Sequence, residues 1–185
     1  MSEQLRTELL RYQDRSFIIG MIQMLEDEWF FFEEEGDEMV LLETMNMNEL
    51  EIFLSGGWQK GKWLPSGKIK GLFGTHTVHE DDCIRIKKPL PFAFDQMLHS
   101  ISDETFIEFT KQLNGMGFSV YDCIYSYNQL MFMGKKKLKK GVSFFQFDNE
   151  DRICAVQHHF ERGKNSSDRF EFTTSKGDRA ILYHV

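Results

Sequence analysis

The sequence predicts an α+β protein. Its N-terminal half is β-rich, a small bent sheet or barrel behind a short leading helix. A helix and an antiparallel β-meander follow. Three observations carry this expectation. Short runs of aromatic and branched residues, separated by acidic or glycine-bearing turns, begin at Phe17. Pro89-Leu90-Pro91 interrupts them as a stiff, extended connector. Strand-like and helix-like runs do not alternate as a doubly wound nucleotide fold requires. The expected domains are therefore 1–88 and 92–185, with 89–91 between them.

Residues 2–14 predict a short helix, with Ser2 as cap and Leu5, Leu9 and Tyr12 on one stripe. Phe17–Leu25, Glu28–Glu33, Glu38–Met45, Glu49–Leu54 and Thr75–Lys87 predict strands. Between the last two, Ser55–Gly74 holds six glycines and is expected to be a long loop or loose hairpin. Past the prolines, Phe94–Ile101 predicts a short helix. Ser102-Asp103-Glu104 supplies a cap and an acidic first turn for a second helix, which Asn114-Gly115 closes. Strand candidates then run through Phe118–Tyr125, Gln129–Met133, Val142–Phe147, Ile153–Phe160, Arg169–Thr174 and Ala180–His184. The strand spacing over residues 15–88, with Gly20 inside its strand, resembles SH3-like or Sm-like small barrels. No site residue follows from that resemblance.

The chain has 185 residues, 41 % of them apolar, and only 3 prolines, which argues for a packed core rather than a disordered or fibrous chain. Cys83, Cys123 and Cys154 form no CxxC pair, as expected of thiols in a reducing compartment. The first residues lack an apolar signal region, and the longest apolar run, Phe17–Leu25, is far short of the roughly 20 residues a membrane helix needs. A cytoplasmic protein without membrane contact is the expectation.

Charge is segregated. Residues 1–57 hold fourteen acids against three bases, while 58–91 hold seven bases against three acids. Two basic segments stand out. One carries Trp58, Lys60, Lys62, Trp63, Lys68 and Lys70; the other carries Lys135, Lys136, Lys137, Lys139 and Lys140 between Gly134 and Gly141. Lysines interleaved with tryptophans suit an anionic partner, since cations neutralise phosphates while rings stack on bases. Gly56 to Lys62 satisfies GxxxxGK, but Trp63 stands where a P-loop needs Ser or Thr, so nucleotide binding is not expected. Glu33–Glu38 lacks the alternating oxygen ligands of a calcium loop.

His76, His79 and the acids after them offer metal-ligand chemistry. A strand would send the two histidines to opposite faces, so no metal is expected. Cys154 and His158, four apart on one strand, lie about 13 Å from each other and cannot act as nucleophile and base. No other catalytic signature or cofactor fingerprint is present, and the expectation leans away from an enzyme. It is a non-enzymatic binding or regulatory module for an acidic protein or a nucleic acid, single-stranded in particular. A charge-paired homo-oligomer and an enzyme with a site near His76 and His79 are the alternatives.

Overall fold

A computed structural model describes residues 3–34, 36, 39–44, 50–65, 67–72, 74–134, 138–164 and 166–184. The protein is α+β and rich in strand, and it divides into two compact units. One is 17–88; the other joins 1–16 to 89–185.

Unit 17–88 is one antiparallel sheet. Its strands are β1 (Phe17–Leu25), β2 (Glu28–Glu33), β3 (Met39–Leu41), β4 (Leu50–Leu54), β5 (Gly57–Leu64), β6 (Lys68–Gly71), β7 (Gly74–Thr77) and β8 (Cys83–Lys87). Their order is β3-β2-β1-β8-β4-β5-β6-β7, so β8 bridges the first hairpin to the rest. A small barrel would need its two edge strands to share a ladder. Among the described residues, the three-residue β3 and four-residue β7 share none, and the sheet is open. The glycine-rich stretch, expected to be a long loop or a loose hairpin, forms the β5–β6 hairpin and opens β7. Gly56 and Gly67 take positive φ between strands, and Gly61 lies within van der Waals reach of Ile69, so the glycines mark turns and close packing.

Period-two alternation sends Ile22, Phe31, Ile52, Trp63, Ile69 and Ile84 into one buried cluster. Ile22 faces Phe31, Ile52 faces Ile84 and Trp63 faces Ile69 across the ladders. Gly20 sits in β1 opposite Glu33 and Ile84. A Cβ there would collide with the carbonyl oxygen of Phe32 and the ring of Phe31. Gly20→Ala is therefore expected to destabilise this unit by about 1–3 kcal/mol through overpacking. The urea midpoint of tryptophan emission measures it, and an unchanged midpoint would refute the collision.

The second unit packs helices on one face of a five-stranded antiparallel sheet. The helices are α1 (Glu3–Arg11), α2 (Phe92–Ser100) and α3 (Asp103–Gly115). The strands are β9 (Cys123–Tyr127), β10 (Lys139–Asp148), β11 (Ile153–Arg162), β12 (Ser167–Thr174) and β13 (Arg179–His184), in the order β13-β12-β11-β10-β9. Phe94, Phe106 and Phe109 from the helices meet Phe145, Phe147, Phe170 and Phe172 from the sheet in one cluster. Ser102 caps α3 by accepting the Thr105 N–H, as the sequence predicts.

The leading helix, grouped by sequence with the strands after it, belongs to this unit. Its Arg6 guanidinium donates to Asp103 Oδ1 at 2.6 Å and to the carbonyls of Leu98 and Ile101 at 2.8 and 2.9 Å. Leu9 and Leu10 pack on the core, while Leu5 and Tyr12 of the expected stripe are exposed. Gln129–Phe132, expected as a strand, is a 3-10 turn. The Leu130 N–H goes to the Asn128 side chain and the Gln129 N–H to Ser143 Oγ, which leaves neither for a ladder. No described helix is long and apolar enough to cross a membrane.

Candidate functional site

Strand parity builds the site. Lys60 and Lys62 on β5 share a face, and so do Lys68 and Lys70 on β6. The ladder pairs Lys62 with Lys70 and Leu64 with Lys68, which puts all four ammonium groups on the same side of adjacent strands. All four are exposed, and among the described residues none has an ion-pair partner. Paired backbones lie about 4.5–5.5 Å apart, so the Lys62–Lys70 pair sets like charges side by side.

Trp58 lies on the same face at the other end of β5, half-buried. One of its ring faces is already engaged, with the Arg85 guanidinium 4.5 Å from the ring centroid. Arg85 also lies 4.1 Å from the Phe17 centroid and donates through Nε to Glu51 Oε2 at 2.8 Å. Phe53 meets Trp58 edge-on at 5.3 Å. Glu51 is the cross-strand partner of Lys60, but its carboxylate is committed to Arg85.

Trp63 does not join this surface. It has the parity of Gly61, points to the opposite face and is only 8 % exposed, edge-on to Trp29 at 6.5 Å. The expected pair of stacking tryptophans is thereby corrected, because neighbouring parity separates Trp63 from Trp58 and the lysines. Sequence reading also passed over Arg85, Glu51 and Phe17. The alternation Cys83, Arg85, Lys87 was the signal that could have placed Arg85 there.

The second basic segment belongs to the other unit. Lys135, Lys136 and Lys137 lie outside the described residues. Lys139 and Lys140 open β10, and the exposed Lys140 Nζ is 3.4 Å from Glu161 Oε2. Burial pushes the Cys123 thiol up to about 12 and that of Cys154 up to about 11, which disfavours the thiolate at both.

On the inner face of the second sheet, His158, only 1 % exposed, donates from Nε2 to Asp168 Oδ1 at 2.6 Å. Arg162 Nη2 reaches the same oxygen at 2.7 Å. Ser143 faces His158 across the ladder, but its hydroxyl accepts the Gln129 N–H and donates to Asn128 Oδ1. Among the described residues, His158 Nδ1 has no hydrogen-bond partner. Among the described residues, the Ser143 hydroxyl makes no hydrogen bond to the His158 ring, and Ser143, His158 and Asp168 are all buried. The cluster links β11 to β12 through the Asp168 carboxylate.

Fold and site together define a two-unit α+β protein whose inserted antiparallel sheet carries a four-lysine face. The chain belongs to the family described as "Protein of unknown function (DUF2777)", which matches residues 4–184. It is similar to "Uncharacterized protein YisN" of Bacillus subtilis (strain 168), with 32 % identity over 184 residues, covering 96 % of this chain and 91 % of that protein. No solved structure matches it.

Proposed function

We infer that the protein is a cytoplasmic, non-enzymatic binding module whose β5–β6 face engages a polyanionic partner. The observation that carries this reading is the cross-strand Lys62–Lys70 pair, flanked by Lys60 and Lys68; among the described residues none of the four is in an ion pair, and the carboxylate opposite Lys60, that of Glu51, is held by Arg85. Like charges placed opposite each other weaken a sheet unless a ligand offsets them. Recognition is by charge rather than base stacking, since Trp63 is sealed and one face of Trp58 lies under Arg85. Three cysteines without disulfides support the reducing location.

The test is binding of single-stranded RNA, single-stranded DNA and polyglutamate across a salt titration. Four lysines on a single strand give a slope of log K against log salt of about −3. Lys62→Glu with Lys70→Glu is expected to weaken binding more than tenfold. Nucleic acid and polyglutamate arms distinguish the two partner classes. Absence of salt-dependent binding in every arm at low ionic strength removes the proposal. Light scattering at low and high salt addresses the charge-paired assembly, which a salt-independent monomer rejects.

A further inference from the structure

The connection between β7 and β8 brings together two histidines that strand geometry would have parted. β7 ends at Thr77, and residues 78–82 form a turn in which Asp81 takes a φ of 65°. His79 therefore lies beyond the pleat, and its ring centroid comes within 5.6 Å of that of His76. Asp82 Oδ2 lies 2.8 Å from His76 Nε2 and 4.0 Å from His79 Nδ1, and it also accepts the His79 backbone N–H at 2.9 Å. One nitrogen from each histidine and one carboxylate oxygen all fall within 4.8 Å of one another.

The turn is pinned on two sides. Val78 N–H bonds to the Gly67 carbonyl at 3.0 Å, Asp81 N–H to the Ile22 carbonyl at 2.9 Å, and Ile22 N–H to the Asp82 carbonyl at 3.0 Å. Val78 itself is buried in the core of the unit. The donors are thus held by a rigid scaffold rather than a free loop.

We propose that His76 Nε2, His79 Nδ1 and the Asp82 carboxylate bind a divalent transition-metal ion of the zinc type. Two imidazoles and one carboxylate are borderline donors that favour zinc over magnesium or calcium. Bond lengths of about 2.0–2.1 Å in a tetrahedral array place ligand atoms about 3.3 Å apart. The ion enters by parting His76 from Asp82 by about half an ångström and drawing the exposed His79 ring inward. Three protein donors leave a fourth position for water or a ligand. His76 also lines a cavity of about 200 Å³ with Ile52, Gln59, Ile69 and Thr75, and that cavity borders the site. This inference is independent of the lysine face.

The experiment is calorimetric titration of the whole protein with zinc chloride in a non-chelating buffer. A melting curve with and without zinc, reversed by EDTA, accompanies it. One zinc per chain and a raised melting temperature are expected. His79→Ala, at a residue 72 % exposed in its side chain and so tolerant of change, is expected to weaken zinc at least tenfold. Asp82→Asn is expected to do the same. His99→Ala, at another exposed histidine 3.6 Å from a carboxylate, leaves zinc binding unchanged. No binding at 100-fold excess zinc over protein, or zinc binding that survives His79→Ala, overturns the proposal.

Discussion

Phe109→Ala is expected to cost the helix-bearing unit about 3–5 kcal/mol, a large part of the stability of a domain this size. The ring is fully buried and sits at the centre of the cluster. Its centroid is 4.9 Å from Phe170, 5.6 Å from Phe172 and 6.2 Å from Phe94, so truncation opens a cavity between helix and sheet. No neighbour can collapse into it without leaving its own packed rotamer. The distribution of tryptophan makes the measurement clean. All three, Trp29, Trp58 and Trp63, lie in 17–88, so indole emission follows that unit alone. Urea unfolding followed by circular dichroism is expected to show the loss. A shift below 1 kcal/mol would mean the cluster relaxes around the gap.

Asp168→Ala is expected to be comparably severe, about 3–5 kcal/mol, because it removes the shared acceptor of His158 and Arg162 and leaves buried donors without their partner. The same site makes stability depend on pH. Burial lowers the pKa of His158, outweighing the pull of Asp168, whose charge Arg162 already balances. Burial alone would raise Asp168, but the hydrogen bonds from His158 and Arg162 overcome it and its pKa is lowered. The folded state thus holds the imidazole neutral, while an unfolded one protonates below about pH 6.5. Its contribution is full above that pH and declines as pH falls toward the depressed folded value, at up to about 1.4 kcal/mol per pH unit. The contribution of Asp168 is lost only further down, below about pH 3.9, as pH falls toward its own depressed value. Urea midpoints at pH 7.5 and 5.5 measure the first slope. His158→Phe, which keeps the stack on Phe170, is expected to flatten it. A slope that persists in His158→Phe would assign the effect elsewhere.

Much of the helix-bearing unit was legible because local signals and the global fold agree there. Ser102 caps the helix it was expected to cap. Cys154, Val156, His158 and Phe160 alternate along β11, and all four are buried. The glycine-rich stretch was legible only as a choice between loop and hairpin, since residues chosen for turns and close approach look like those of a loop. Once it is known to be strand, the same parity that groups Lys60 with Lys62 separates Trp63 from both. The pairing of His76 with His79 was hidden by the strand's end at Thr77, and positive φ at Asp81 leaves little mark in sequence. The allegiance of the first helix depends on Arg6 meeting Asp103, a partner distant along the chain that no local pattern announces.

The chain leaves the helical unit after Ser16 and re-enters it at Pro89, while Phe17 and Lys87 are cross-strand neighbours. Residues 17–88 are thus spliced into their host through adjacent entry and exit points. Unfolded, such an insert burdens its host with a loop-closure penalty of about 4 kcal/mol; folded, it presents ends no farther apart than those of a hairpin. The insert therefore acts as a staple, and its folding favours the host's even without a shared contact.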